Sequence, residues 1–154
     1  MSQMAVIDFE TTGSTPAQGA RATEIGVVLL EDGRVVDRYQ SLMNAGVPVP
    51  PFIERLTGIS NAMLAAAPSS EQVMREAARF VGERPMVAHN ASFDRQFWQA
   101  ELARLGVMAH QPFVCTCCSR AASCRKRPTT GWAPCRSGSI CPTKGAPTGP
   151  WPTP

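Results

Sequence analysis

The order of apolar and polar positions predicts three strands in the first third of the chain. Short runs rich in Val, Ile, Leu and Ala mark them, at residues 4–10, 22–30 and 34–43. Asp32-Gly33 separates the second run from the third, and this dipeptide is the strongest short signal for a β-hairpin. We therefore expect these two strands to pair in antiparallel fashion.

Helical spacing of apolar residues begins after the third strand. It predicts short helices at 52–56 and 60–66, a longer helix from 69 or 70 to about 82, and another over 92–105. A brief strand at 86–88 lies between the two longer helices. Strands followed by alternating helices and strands indicate an α/β domain with a mixed sheet and flanking helices.

The periodic pattern stops after residue 114. The remaining 40 residues, here called the tail (115–154), hold half of the 14 prolines and all six cysteines. They show no sustained period of either 2 or 3.6 residues, which is typical of a segment without regular structure. The sequence thus predicts a folded domain over 1–114 and a disordered tail.

Charge divides the chain at the same point. Residues 1–114 carry nine Lys and Arg against all 12 Asp and Glu, a formal net charge of −3, while the tail carries six basic residues and no acid. The whole-chain charge of +3 therefore comes from the tail. The basic isoelectric point does not predict a basic nucleic-acid-binding face on the folded part.

No segment is typical of a signal peptide or a membrane span. The chain runs from Met1 to Met4 into an apolar strand without a basic region. The longest strongly apolar run, Ile25–Leu30, is far shorter than the roughly 20 residues that a membrane span needs. We expect a soluble, cytoplasmic protein with no membrane partner.

Two acidic residues, Asp8 and Glu10, end the first predicted strand. Residues two apart on a strand share a face, so both carboxylates project from the same side of the sheet. Like charges this close resist ionising together, and a hard divalent cation with oxygen ligands, Mg²⁺ or Mn²⁺, relieves the repulsion. A solvated acid pair on an edge strand is the alternative.

Four motifs in order point to a known family. They are Asp8-Phe-Glu-Thr-Thr-Gly13, Thr23-Glu-Ile-Gly26, Leu56-Thr-Gly-Ile59 and Val87-Ala-His-Asn-Ala-Ser-Phe-Asp94. With them the chain resembles the DEDDh exonucleases, the DnaQ-like family that includes the proofreading subunit of DNA polymerase III. The resemblance covers about residues 4–114 and implies a ribonuclease H-like fold whose C-terminal part is incomplete here.

The resemblance implies a metal-dependent 3′–5′ exonuclease. By its first and second motifs, Asp8, Glu10 and Asp94 would bind two Mg²⁺ or Mn²⁺ ions and carry catalysis. In-line attack of water on the terminal phosphodiester would release a nucleoside 5′-monophosphate. The implied partners are single-stranded DNA or RNA 3′ ends, together with a polymerase subunit in the proofreading members.

The resemblance also implies how the terminal nucleotide is held. Thr11 and Thr12 would contact it through backbone groups at the turn after the first strand. His89 and Asn90 match the second motif, and we expect His89 to be a structural hydrogen-bonding residue near the site rather than the general base. Glu24 matches a family position as well, yet a single acid on a strand is as easily solvated.

The family's third motif, His-x-Ala-x-x-Asp, does not occur in these 154 residues. No His follows His110, and no Asp or Glu follows Glu101. The motif supplies the general base and a fourth acidic ligand, so we expect impaired catalysis in the chain as written. The alternative is a non-catalytic nucleic-acid-binding remnant, or an unstable fragment whose Phe93, Phe97 and Trp98 are left uncovered.

An altered reading frame is one explanation of the tail. When the third base of each codon is joined to the first two bases of the next, residues 146–154 are compatible with AHRALADA, which contains the third motif. Residues 129–135 are compatible with NHRLGTL in the same frame, and this string resembles the stretch before that motif. We hypothesise a one-nucleotide frame change between residues 114 and 119.

A zinc knuckle that binds nucleic acid is the alternative for the tail. Six cysteines and six basic residues are the composition of such a module. The spacings do not repeat as paired Cys-x-x-Cys units, however, and Cys115-x-Cys-Cys118 is the one close cluster. The spacing therefore favours the altered frame over a metal-binding module.

Overall fold

A five-stranded mixed sheet organises the computed structural model, which describes residues 2–119. These residues fall within one unit, Met1–Cys124. The strands stand in the order β3-β2-β1-β4-β5, so β1 is central. Their bounds are Gln3–Thr11 for β1, Ala22–Glu31 for β2, Arg34–Leu42 for β3, Met86–Ala88 for β4 and Phe113–Cys115 for β5. The expected mixed sheet is confirmed.

Antiparallel pairing joins the first three strands. Between β2 and β3 the chain turns at Asp32 and Gly33, whose φ angles of 47° and 81° are both positive, as the tight primed hairpin turns require. The predicted hairpin is confirmed. The short strands β4 and β5 add on the other side of β1 in parallel, which gives the sheet its mixed character.

Helices cap and flank this sheet. Ser60 and Ser69 each accept a backbone N–H at the start of a helix, as N-cap residues do. Among residues 2–119 no helix is long and apolar enough to cross a bilayer. The helices are α1 (Pro51–Thr57), α2 (Asn61–Ala65), α3 (Ser70–Val81), α4 (Ala91–Arg104) and α5 (Thr116–Ser119).

The main core lies between the sheet and the pair α3 and α4. Phe97 and Trp98 of α4 are both fully buried in it, and the Trp98 indole donates to Gln111 Oε1 at 3.3 Å. Phe93 packs against the same core, with its ring centroid 5.0 Å from that of Phe97. The expectation that these side chains are left uncovered is therefore wrong for Phe97 and Trp98, because the described residues already enclose them.

Regular structure continues beyond the point where the sequence pattern ends. Strand β5 reaches Cys115, and Thr116–Ser119 forms a single helical turn. A three-residue strand is too short to show a hydrophobic period, which explains why it was not predicted. The tail beyond residue 119 lies outside the described residues, and it contains Cys124, Cys135 and Cys141. The fold therefore tests neither explanation of the tail.

Candidate active site

The acid pair of β1 lies on the side of the sheet opposite to the main core. Ala5, Ile7 and Phe9 are buried, whereas Asp8 is exposed and Glu10 is half-buried. This alternation follows from the two-residue period of a strand. β1 pairs with β4 only at Ala5 and Val6, so Asp8 and Glu10 lie beyond the part of β1 that is paired with β4. The pair is therefore on a central strand rather than on the edge strand that the alternative assumed.

Asp94 reaches this end of β1 from the first turn of α4. It is 1% exposed, and its Oδ1 accepts the backbone N–H of Phe9 at 3.1 Å. Phe9 stands between Asp8 and Glu10, and no β4 residue is paired with it. One hydrogen bond thus ties the third acid of the sequence motif to the backbone that carries the other two.

Asp8 interacts electrostatically with each of the other two acids, Glu10 and Asp94. Burial and then the charge of Asp8, opposed by the hydrogen bond from Phe9, raise the pKa of Asp94 to about 7. Partial burial, then the charge of Glu24, also raises the pKa of Asp8, although the residue as a whole is exposed. The pKa of Glu10 is raised by burial and then by the charges of Asp8 and Glu24. Each carboxylate therefore opposes the ionisation of its neighbours.

The sequence singled out Glu24 but left open whether it belongs to the site. It stands directly opposite Glu10 in the β1–β2 register, so the two side chains share a face of the sheet. Gln40 Nε2 donates to its Oε1 at 2.6 Å. The acidic group thus has a fourth member. Only the pairing register shows this, and no turn signal in the sequence sets the register of β1 against β2.

A groove opens beside Glu24, between the sheet and the α1–α2 connection. Its volume is about 460 Å³. The Leu56-Thr-Gly-Ile59 motif carries no acid, and three of its residues line this groove. The groove is lined by Glu24, Gln40, Ser41, Leu42, Thr57, Gly58, Ile59 and Met63.

The two threonines after the acid pair are buried, each 7% exposed. Thr11 Oγ1 donates to the Gly13 carbonyl at 2.7 Å. The Thr12 N–H donates to the Arg21 carbonyl at 2.9 Å, and Thr12 Oγ1 accepts the Arg21 N–H at 3.0 Å. The Thr12 amide is therefore engaged within the protein, and only the remaining backbone groups of this turn are available to a ligand.

His89 and Asn90 lie between β4 and α4, and both are exposed. His89 Nδ1 is 3.1 Å from Thr116 Oγ1, and its proximity to Asp8 lowers the pKa of that acid against the effect of burial. Asn90 has a φ of 57° and accepts the Ser92 hydroxyl at 3.1 Å. His89 thus makes a structural hydrogen bond and lies near the acids.

The donor chemistry of the acidic group suits a hard divalent cation. Asp8, Glu10 and Asp94 offer only carboxylate oxygens, the ligands that Mg²⁺ and Mn²⁺ prefer. Within residues 2–117 the two ion pairs are Arg21–Glu101 and Arg75–Glu71, so no Lys or Arg neutralises these acids there. In the same region no three His, Cys, Asp or Glu side chains converge into a ready ligand set. The carboxylates would therefore have to draw together around an ion.

Comparison with known proteins adds a family and a fold. The profile of the Exonuclease family (RNase_T) matches residues 5–134. The 3′–5′ exonuclease DinG of Bacillus subtilis (strain 168) is 39% identical over 101 residues, which is 66% of this chain and 11% of that protein. A PolC-type DNA polymerase III of Halalkalibacterium halodurans is 35% identical over 106 residues, 69% of this chain and 7% of the polymerase. The chain spans only a small part of these curated relatives.

Solved structures show the same architecture. Escherichia coli exonuclease I in complex with a dT13 oligonucleotide superposes with a TM-score of 0.71 at 14% identity, covering 79% of this chain and 29% of that one. Exonuclease X in complex with 5′ overhanging duplex DNA superposes with a TM-score of 0.55 at 30% identity, covering 73% and 59%. The ribonuclease H-like fold expected from the sequence motifs is confirmed.

Proposed function

This chain belongs to the Exonuclease family, and from that premise we propose that it removes nucleoside 5′-monophosphates from 3′ ends of single-stranded nucleic acid by two-metal catalysis. The observation that carries the proposal is the placement of Asp8, Glu10 and Asp94 near one strand end, with raised pKa values and no Lys or Arg ion-pair partner within residues 2–117. Such a group is suited to binding cations, because bound positive charge removes the repulsion within it.

The three acids would hold the cations, two Mg²⁺ or Mn²⁺ ions. When bound, these supply water activation and charge stabilisation for in-line hydrolysis of the terminal phosphodiester. Asp94 keeps one oxygen on the Phe9 amide, so its other oxygen is the one available to an ion. Burial of Asp94 also limits competition by water for the site.

The terminal nucleotide would lie between the acids and the groove beside Glu24. We place its sugar and phosphate at the Thr11–Thr12 turn and its base in the groove, whose lining combines apolar Leu42, Ile59 and Met63 with polar side chains. His89 and Asn90 would line the other side, where both are exposed. A groove of about 460 Å³ is large enough for one nucleotide rather than for a duplex end.

Activity is proposed to be reduced in the chain as written. The family's general base and fourth acid have no counterpart in the printed tail. General-base catalysis typically contributes about 10²–10⁴-fold, so the loss of this group alone leaves a slow enzyme. The missing motif also favours the second candidate function, a nucleic-acid-binding remnant without catalysis.

The proposal extends to partners and location. Single-stranded 3′ ends are the substrate, and association with a polymerase subunit is proposed because PolC-type polymerases are among the relatives. An oligonucleotide occupies the related exonuclease I structure. A cytoplasmic location is proposed, since nucleic acid ends of this kind are found there.

We expect slow, metal-dependent release of mononucleotide from a 3′-labelled single-stranded oligonucleotide in Mn²⁺ or Mg²⁺. Asp8→Ala should abolish the release because it removes a metal ligand, whereas Glu83→Gln should leave it unchanged, since Glu83 is an exposed acid that belongs neither to the acidic group nor to the groove lining. Thin-layer or chromatographic analysis of the product identifies the mononucleotide. A 5′-labelled strand should shorten in steps from its other end.

Two results would count against the enzyme. If the native chain binds the oligonucleotide but releases nothing, the remnant is the better description. If release persists in Asp8→Ala at the native rate, a contaminating nuclease or a different site is responsible, and the assignment of Asp8 is wrong.

A further inference from the structure

The loop between β1 and β2, residues 12–21, is fastened to helix α4 near its start. Thr15 Oγ1 lies 3.0 Å from Gln96 Oε1 and donates to it, and Gln96 Nε2 donates to the Ser14 carbonyl at 3.3 Å. Gln96 is two residues after Asp94. The loop that follows the acid pair is thus held against the same helix that delivers the third acid.

A second contact with α4 holds the C-terminal end of the loop, at Arg21. Arg21 Nε and Nη2 donate to the two carboxylate oxygens of Glu101, each at 2.8 Å, in the bidentate geometry that only a guanidinium provides. The side chains are 15% and 3% exposed, respectively. Glu101 Oε1 also accepts the Ala22 N–H at 3.2 Å, and Arg21 Nη1 donates to the Ala45 carbonyl at 3.2 Å.

Arg21 is joined directly to the proposed nucleotide site. Its backbone N–H and carbonyl form the paired hydrogen bonds with Thr12 described above. Glu101 follows Asp94 by seven residues, or two helical turns, so the two acids project from the same side of α4. A rigid path therefore runs from the Thr12 turn through Arg21 and Glu101 to the helix of Asp94.

We propose that Arg21 is a positioning residue for nucleotide binding, which fixes the Thr11–Thr12 turn relative to Asp94 through its ion pair with Glu101. The inference rests on the proposed function. The metal-binding acids sit on β1 and α4, which are already joined by the Phe9–Asp94 hydrogen bond. Weakening the Arg21–Glu101 contact should therefore let the Thr11–Thr12 turn move while the three acids stay in place. Nucleotide affinity should then fall while cation affinity stays unchanged.

The variant that tests this is Arg21→Lys, which keeps the charge but cannot make the bidentate contact. Its matched control is Arg75→Lys, which alters the exposed Arg75–Glu71 pair of α3 in the same way. Binding of Mn²⁺, and of thymidine or uridine 5′-monophosphate in the presence of Mn²⁺, is measured at low temperature by calorimetry. Binding requires no general base, so the missing third motif does not affect the readout.

We expect Arg21→Lys to weaken mononucleotide binding at least about tenfold, a change readily measured by titration, while the Kd for Mn²⁺ stays native. Arg75→Lys should change neither. If Arg21→Lys does not fold, as judged by circular dichroism, Gln96→Ala replaces it, since this change loosens the same loop without a buried charge. It should produce a smaller loss in the same direction.

Three outcomes overturn the inference in distinguishable ways. Native mononucleotide affinity in a folded Arg21→Lys or Gln96→Ala protein, even with a lower melting temperature, would show that the ion pair is structural only, and the proposed function would stand. Equal losses of Mn²⁺ and nucleotide affinity would mean that the whole site has collapsed. If the native chain binds neither probe, the proposed function fails and the inference fails with it.

Discussion

Restoring the alternative reading frame after residue 114 should raise the rate of 3′-end hydrolysis by about 10²–10⁴-fold or more, the range that general-base catalysis contributes. The restored chain would carry His and Asp at the separation of the third motif, within the stretch now printed as residues 146–154. The His would accept the proton of the attacking water, and the Asp would add a further carboxylate to the acidic group.

The structure makes this a test of chemistry rather than of folding. Phe97 and Trp98 are already fully buried, and β5 is already paired with β4. The printed chain and the restored chain should therefore share the fold of residues 2–115, which their circular dichroism would show. A much lower activity of the printed chain then reflects the missing groups.

The matched control is a restored chain in which the new His is replaced by Gln. Initial rates on a 3′-labelled single-stranded oligonucleotide in Mg²⁺ should return to the level of the printed chain. If the alternative frame contains a stop codon or lacks the His and Asp codons, the frame hypothesis is wrong. Equal activity of restored and printed chains would show that the acids of β1 and α4 act without the third motif.

Asp94→Asn should make the metal-free protein more stable above pH 7, while it removes a ligand of the proposed metal site. The Asp94 carboxyl is 1% exposed, and burial with the nearby charge of Asp8 raises its pKa from 3.8 to about 7. Asn keeps a side-chain oxygen that can accept the Phe9 N–H, so this hydrogen bond is preserved.

The direction of the pH effect follows from proton linkage. Because the folded state holds the Asp94 proton more tightly than the unfolded state, this residue favours folding at low pH. That contribution is lost as the pH rises from about 4 to about 7. A shift of this size corresponds to on the order of 4 kcal/mol, at 1.36 kcal/mol for each pKa unit. The native free energy of unfolding should therefore fall across this range.

Urea unfolding in EDTA at several pH values measures this difference. The curve for Asp94→Asn should be shallower, not flat, since burial and charge repulsion also raise the pKa values of Asp8 and Glu10. Glu83→Gln, an exposed acid after α3, should follow the native curve. If the free energy of unfolding changed with pH to the same extent in the native protein and in Asp94→Asn, ionising Asp94 would not destabilise the fold, and its raised pKa would be wrong.

The fold was largely predictable because most of its helices and strands carry local sequence signals. The Asp32-Gly33 turn, the Ser69 cap and the two-residue alternation of β1 each depend on neighbouring residues alone. Strand β5 was missed because three residues carry no period, and it is held by pairing with β4 rather than by its own sequence.

The site was predictable only in part, since its parts come from distant segments. The motifs located Asp8, Glu10 and Asp94, but the hydrogen bond that joins Asp94 to Phe9 spans 85 residues. Glu24 depends on the register of β1 against β2, and Glu101 on the rotation of α4 about its axis. Neither register nor rotation is encoded in a short stretch, so the place of Glu24 beside Glu10 and the contact of Glu101 with Arg21 became visible only in three dimensions.

Titration of MnCl₂ into the native chain and into Asp94→Asn tests the central claim most directly, that Asp8, Glu10 and Asp94 form one divalent-metal site. At pH 6 to 7 the native chain should bind Mn²⁺ and release protons, because an Asp94 carboxyl with a pKa of about 7 must ionise to become a ligand. Asp94→Asn should lose both the binding and the proton release. A native chain that binds no Mn²⁺, or a variant that binds it with native affinity, would contradict the account.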